Sequence, residues 1–298
     1  MKLSMLNRIK DLYEKENQNI VEYLKNYSNS SKTGVEDILI SYDFQAGTYT
    51  ASYEQNPYLK DKACESVAKY INELGEFDSI IEVGVGEATS LAMILKNLKE
   101  LPPKAYGLDL SWSRIKYAKK FLDKNHLNDV QLFTGDLFEM PIGDNSIDLV
   151  YTFHTLEPNG GRESEALKEL YRIAKKYIVL VEPCYEIATE EGKKRMDDNG
   201  YIRGLYNHAV DLNYNVILNE SFKWNANDLN PATVMIIKKD TKESNYSDSV
   251  LCCPITKTPL KIINGSYYSE SSLLAYPIID DIPCLMSLNA IVATKMLD

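Results

Sequence analysis

The spacing of hydrophobic positions changes twice along the chain. Leu3, Leu6, Ile9, Leu12 and Tyr13, followed by Ile20, Val21 and Leu24, recur at the spacing of one buried helical face. A polar, tyrosine-rich break over residues 41–63 carries Gly47 and Pro57 and leads into a helix expected over Leu59–Leu74. From about residue 76, short apolar runs alternate with amphipathic stretches. Strands are expected at Ser79–Val83, Ala105–Leu108, Val130–Phe133, Ile147–Phe153, Tyr177–Val181, Tyr214–Glu220 and Ala232–Ile237. Helices are expected at Thr89–Leu98, Ser113–Lys124, Glu163–Lys176, Glu190–Asp198 and Gly204–Leu212. Alternation of strand and helix at this spacing argues for a parallel sheet covered on both faces, an α/β fold. The last two strands are joined only by the turn Trp224–Pro231, so they should form an antiparallel pair. Beyond the polar stretch KKDTKESNYSDS the pattern shortens to β-like segments with tight turns. Three zones result: a helical lid region at 1–75, an α/β domain at 76–240, and a linker with a small β module at 241–298.

Composition narrows the function. With 298 residues and 44% hydrophobic side chains, the chain has enough apolar surface for a core, which excludes disorder as a description of the whole. No apolar run approaches the roughly 20 residues that span a bilayer, so no membrane partner is expected. The segment MKLSMLNRIKDLYEKENQ lacks the continuous apolar stretch of a secretory signal. Five cysteines without CxxC spacing point to a reducing, cytoplasmic setting rather than a disulfide framework. The formal charge of 33 − 43 = −10 speaks against a non-specific grip on nucleic acid, which needs clustered positive charge.

The strongest chemical signal is IIEVGVGEATSLAMIL. A buried strand ends at Val83, turns at Gly84 and Gly86, and enters a helix near Thr89, whose free N–H groups carry partial positive charge. Glycines there let a ligand approach the backbone closely. A dinucleotide turn would place glycine at position 89, where this chain has Thr89. Glu82, just before the turn, suits an amine or cationic group. Asp109 closes the next strand, where an acid accepts both hydroxyls of a ribose. Taken singly, the glycines read equally as a plain turn and Asp109 as a helix cap; their joint presence in one βαβ unit favours a ligand site.

These residues resemble the class I S-adenosylmethionine-dependent methyltransferases. The first motif is matched by Glu82-Val-Gly84-Val-Gly86-Glu-Ala88 and the second by Gly107-Leu-Asp109 and Leu110. Thr134-Gly-Asp136-Leu137 resembles the third, and Ile147 to Glu157 the fourth strand with its turn. The resemblance spans about residues 75–240 and departs at Ala88, where many members carry a third glycine. It implies a Rossmann-like seven-stranded sheet in the order 3-2-1-4-5-7-6 and S-adenosylmethionine as cofactor. It also implies cofactor contacts from Glu82, Gly84, Gly86, Asp109, Leu110, Asp136 and Leu137, with Gln45, Thr48 and Tyr49 in an entrance lid.

The acceptor is less constrained. An oxygen acceptor calls for a base, and His154, at the end of the fourth strand, is the first candidate, followed by Glu157 and His208. A turn that merely packs around the cofactor is the competing reading of His154. The (Asp/Asn)-Pro-Pro-(Tyr/Phe) motif of nucleobase amino methylation is absent, and Glu157-Pro-Asn-Gly stands in its place. Tyr42, Tyr53, Tyr185, Tyr201 and Arg203 are candidate acceptor contacts. Lys193, Lys194, Arg195 and Arg203 would suit an anionic substrate or simply form a solvated face.

The segments Leu251–Leu260 and Leu274–Pro283 resemble small Trm112-like modules, some of which bind zinc through paired cysteines and some of which activate methyltransferases. Here Thr256 occupies the second ligand position and the later pair is missing, so no metal is expected. Cys252, Cys253 and Cys284 then read as core residues of a module docked on the catalytic domain or on a second copy. The expectation is O-methylation of a small polar metabolite, anionic ones included, such as a sugar or surface-glycan precursor. An RNA or translation-factor methyltransferase, and a non-catalytic protein that keeps the cofactor fold, are the alternatives.

Overall fold

A computed structural model describes residues 2–16, 20, 23, 24, 27, 34–225, 227–239 and 250–298. Val21 and most of the expected linker lie outside them. Among the described residues, no helix is long and apolar enough to cross a membrane.

The helices α1 (Leu6–Glu16), α2 (Val35–Phe44), α3 (Thr48–Gln55) and α4 (Tyr58–Leu74) precede the sheet. Ile9, Leu12, Ile20, Leu24 and Ile40 form a small core of their own, from the apolar face read in the sequence. The α/β domain follows as β1 (Ser79–Val83), α5 (Thr89–Asn97), β2 (Lys104–Asp109), α6 (Trp112–Lys124), β3 (Gln131–Thr134) and β4 (Ile147–Phe153). It continues through α7 (Glu163–Ile173), β5 (Ala174–Pro183), α8 (Glu190–Asn199), α9 (Leu205–Asp211), β6 (Asn215–Ser221) and β7 (Ala232–Lys238). The strands make one seven-stranded sheet in the order β3-β2-β1-β4-β5-β7-β6, as the family resemblance implied. β1 to β5 are parallel, whereas β7 runs antiparallel between β5 and β6.

The central strand β1 is buried along its whole length because helices cover both of its faces. Ile80 joins Val67, Ile71, Leu91 and Ile94 on one side, where α4, α5 and α6 pack. Ile81 and Val83 join Leu167, Leu170 and Ile178 on the other.

One boundary differs from the sequence reading. The helix expected to reach Lys176 stops at Ile173, and Ala174 adopts an extended backbone (φ −68°, ψ 142°) as β5 begins. Ala174 pairs with Ile147 and Tyr177 with Leu149, across a register shift that absorbs the intervening lysines. Neither Lys175 nor Lys176 is lost to solvent, since both reach the buried Asp148, at 3.5 and 2.8 Å.

The C-terminal residues form β8 (Lys261–Ile263), β9 (Ser266–Ser269), β10 (Leu274–Ile279), β11 (Ile282–Pro283) and β12 (Ile291–Val292), an antiparallel sheet. This module lies along the β3 edge of the large sheet. Leu285 N–H donates to Thr134 O at 3.1 Å, and Val250 and Cys252 exchange main-chain bonds with Gly143 and Pro141 at 2.9 and 3.0 Å. Lys116–Asp280 and Lys119–Asp281 ion pairs at 3.0 and 3.2 Å flank the contact. A strand edge that would otherwise present free N–H and C=O groups is thereby covered. Cys252, Cys253 and Cys284 are all buried there. Burial raises the Cys253 thiol, but hydrogen bonds from Ser272, Thr256 and Tyr276 outweigh it and bring the group down to about 6. Among the described residues, no group of three or more His, Cys, Asp or Glu has a metal-holding arrangement.

Candidate active site

The ends of β1, β2 and β4 open on a cavity of about 830 Å³, closed on its other side by α2, α3 and α4. This is the crevice at the carboxyl ends of parallel strands where open α/β sheets hold ligands. The volume lies within the range of about 300–1,000 Å³ typical of small-molecule sites.

The glycine turn forms the cavity's floor. Gly84 and Val85 N–H both donate to Leu108 O, at 2.7 and 2.9 Å, which bends the chain away from β1. Gly84 has φ +74°, and a Cβ there would stand 2.1 Å from Thr155 Cγ2, so both the conformation and the space demand glycine. Thr155 Oγ1 donates to Val83 O at 2.9 Å and locks the turn against the end of β4. Ala88, at the place of the third glycine, also takes a left-handed conformation (φ 58°). The turn therefore makes the same backbone demand there and meets it with a strained alanine.

Asp109 lines the cavity and is anchored on two sides, accepting Gly86 N–H and Ser111 N–H at 2.9 Å each. Each of its oxygens keeps a lone pair for a hydroxyl. Leu110, Asp136, Leu137 and Phe138 continue the wall. Burial raises the Asp136 carboxyl above its ordinary range. Glu82 is placed differently from expectation. It is fully buried below the turn, where Ser90 and Tyr151 hydroxyls donate to it at 2.6 and 3.0 Å, so it braces the floor rather than facing a ligand. Burial pushes it up to about 7.

The lid is tied to the turn by reciprocal helix capping. Glu87, next to Gly86, accepts N–H bonds from Gly47, Tyr49 and Thr50 at 2.9, 3.3 and 2.7 Å, and so caps α3. Asp43, at the end of α2, accepts from Ser111 Oγ, Ser113 N and Ser113 Oγ at 2.5, 3.1 and 2.9 Å, and so caps α6. Each carboxylate meets the positive end of a helix from the other layer. Tyr42, Tyr49 and Tyr53 line the cavity from this lid. Gln45 does not, since its amide donates to Ser41 Oγ at 3.2 Å.

The turn after β4 carries a second cluster. His154 has φ 56°, and its Nδ1 lies 3.2 Å from Glu157 Oε2. Burial alone would raise Glu157, yet hydrogen bonds from His154, Tyr201 and Asn230 outweigh it and hold the carboxyl below its usual range. An ionised carboxylate only accepts, so Nδ1 carries a proton, and in the neutral imidazole the free lone pair is then on Nε2. Glu182, fully buried beneath, receives Thr155 and Leu156 N–H at 2.9 and 3.1 Å and fixes the turn; burial pushes it up to about 7. His154, Glu157 and Asn230 line the cavity with Lys60, Phe153 and Trp224.

Other expected contacts fall elsewhere. His208 bonds Ser164 Oγ at 2.9 Å between α7 and α9, and Arg203 and Tyr185 both engage Asp197, at 2.7 and 3.1 Å. None of the three lines the cavity. Tyr201 touches the site only through Glu157. The residues missed are Glu87 and Asp43, whose bonding partners lie roughly 40 and 70 residues away in sequence, and Arg114. The Arg114 side chain lines the cavity between the rings of Tyr42 and Tyr49, at 5.1 and 4.5 Å.

Residues 81–180 match the family model of a methyltransferase domain. A chain from the complex of the Haloferax volcanii Trm112 methyltransferase activator with a candidate methyltransferase shares 15% identity over 66% of this chain and 96% of that one, at a TM-score of 0.52. Magnesium protoporphyrin IX methyltransferase from Synechocystis PCC 6803, solved with bound SAH, shares 12% identity over 67% of this chain and 99% of that one, at 0.51. A SAM-dependent methyltransferase from Aquifex aeolicus shares 18% over 57% and 87%, at 0.44. No curated protein sequence matches significantly. Residues 81–180 therefore carry a methyltransferase domain, an enzyme unit with S-adenosylmethionine as its cofactor, and the solved structures share its fold.

Proposed function

We propose that the chain methylates an oxygen of a small polar metabolite, with His154 as general base. The observation that carries this is the His154–Glu157 pair at 3.2 Å in the wall of a cavity roofed by tyrosines. A sulfonium methyl is electrophilic, so when the cofactor is bound the protein's task is alignment and, for a hydroxyl acceptor, removal of a proton. Asp109 with Leu110 holds the ribose, Asp136 with Leu137 the adenine end, and the bare main chain of Gly84 and Val85 the aminoacyl end. Tyr49 closes over the cofactor. Tyr42, Tyr53, Lys60, Trp224 and Asn230 surround the acceptor, whose hydroxyl donates to His154 Nε2 while Glu157 steadies the resulting imidazolium. A sugar or surface-glycan precursor fits a wall that mixes aromatic faces with amide and ammonium donors.

Cell extract split into small-molecule, RNA and protein fractions and incubated with methyl-labelled cofactor tests this reading. Label is expected in the small-molecule fraction and should fall roughly 10²–10⁴-fold with His154→Gln. Label confined to RNA or protein would sink the proposal, and an undiminished His154→Gln variant would remove the base. The C-terminal sheet, which resembles Trm112-like modules, is read as a metal-free brace that also meets a second copy, because Ile262, Leu288, Ile291 and Val292 are exposed on it. Sedimentation as a monomer at all concentrations would overturn that last point.

A further inference from the structure

Arg114 stands in the cavity wall with part of its guanidinium unbonded. Its Nε is shielded from solvent and has no hydrogen-bond partner, and among the described residues no carboxylate stands within ion-pair distance of its guanidinium. The residue keeps some accessible surface only because it borders the cavity. Asp109 and Glu87 offset its burial through space and hold the guanidinium charged, but their hydrogen bonds go to Gly86 and Ser111 and to the lid helix rather than to Arg114. The guanidinium is nonetheless held in place. Its Nη2 presses on the glycine turn so closely that a Cβ on Gly86 would stand 2.4 Å away. The rings of Tyr42 and Tyr49 flank it at 5.1 and 4.5 Å. What the guanidinium lacks is a hydrogen-bonded counter-ion, and its positioned fork matches the planar or tetrahedral oxygens of an anion.

We propose that Arg114 is an anion-binding residue that receives a carboxylate or phosphate of a bound ligand. This rests on reading the cavity as the cofactor site. Two ligands of such a site carry that chemistry: the cofactor, through its aminoacyl carboxylate, and an anionic acceptor. Either source also explains why a cation is placed beside a turn that must accept a positively charged sulfonium, since the anion offsets the repulsion.

Calorimetric titration of wild type, Arg114→Met and Arg114→Lys separates the sources. The probes are S-adenosylhomocysteine, 5′-methylthioadenosine, which lacks the carboxylate, and inorganic phosphate added to the protein saturated with S-adenosylhomocysteine. If the cofactor supplies the anion, Arg114→Met weakens S-adenosylhomocysteine roughly 10–100-fold and leaves 5′-methylthioadenosine unchanged. If the acceptor supplies it, S-adenosylhomocysteine binding is retained and the phosphate site of the wild type is lost. Arg114→Lys, with charge but no planar fork, falls between in either case. The ligand-free Arg114→Met variant should melt no lower than wild type, which separates a lost contact from a lost fold. Wild type that fails to bind S-adenosylhomocysteine would overturn the cofactor reading itself. Wild type that binds it, with Arg114→Met indistinguishable toward all three probes, would overturn the role of Arg114 alone.

Discussion

At the scale of single residues, the glycine turn makes the same backbone demand at two positions but leaves room for a methyl group at only one. Gly84 (φ +74°) faces Thr155 with no room for a methyl group, whereas Ala88 (φ 58°) adopts a left-handed backbone with its methyl accommodated in the core. Gly84→Ala should therefore cost about 1–3 kcal/mol and abolish cofactor binding. Ala88→Gly should relieve roughly 1–2 kcal/mol of strain while adding about 0.5–1 kcal/mol of unfolded-state entropy, for a small net gain in stability. Chemical denaturation of both variants checks the pair, and an Ala88→Gly protein clearly weaker than wild type would contradict the strain argument. The glycines, Asp109 and His154 were legible in the sequence because each stands at the end of a solid apolar run, and such runs mark strands without knowledge of the partners. Arg114 was not, since it falls within the amphipathic pattern of α6 and reads there as an ordinary surface cation. Glu82 was legible as a motif residue and misread in role. Nothing in the sequence pairs it with Ser90 and Tyr151, and those hydroxyls turn it inward.

At the scale of elements, two carboxylates decide whether the lid is closed. Glu87 caps α3 and Asp43 caps α6, so the lid docks through helix ends rather than through a large apolar face, and α3 itself has no buried residue. Loss of a cap costs about 0.5–2 kcal/mol, and here that cost falls on the closed state of the lid as well as on the helix. Glu87→Gln should accordingly leave the sheet intact, raise exchange of the α3 amides and weaken S-adenosylhomocysteine several-fold. Hydrogen exchange read by mass spectrometry resolves this. Unchanged protection over residues 47–55, together with unchanged affinity, would show that the capping does not hold the lid. The strand order was readable beforehand because the family motifs fix which strand ends carry ligands. The C-terminal limit of α7 was not, since Ala174-Lys-Lys176 continues a helical pattern, and only pairing with β4 draws those residues into the sheet.

At the scale of the whole molecule, the buried carboxylates give stability a defined dependence on pH. Glu82 and Glu182 have folded values pushed up to about 7 by burial, above the ordinary carboxylate range. The folded chain therefore binds more protons than the unfolded chain between about 4.5 and 7, and stability falls as pH rises through that window. Their contribution is fully present below about 4.5 and is lost above about 7. Asp148, Glu157 and Glu169 are held below their ordinary range; for Asp148 and Glu169, burial is outweighed by bonds with Lys176 and Arg172 respectively, and for Glu157 by its own partners. These three act in the opposite sense: their stabilisation is present above the ordinary carboxylate range and is lost as pH falls below it. These two groups of acids thus pull in opposite directions, one favouring acidic and the other neutral solution. Glu182→Gln keeps an acceptor for only one of the Thr155 and Leu156 N–H groups, which bond to different oxygens of Glu182, and it removes the titration, so it should flatten the decline between pH 5 and 8 by an amount on the order of 3 kcal/mol. Because Glu182 also fixes the turn that carries His154, the same variant tests whether catalysis needs the full carboxylate, with its charge and second acceptor oxygen. Retained activity with a flattened stability profile assigns it to support. Loss of activity with an intact melting profile would instead show that the carboxylate, through its charge and its second acceptor oxygen, sets the turn that presents His154 to the cavity above.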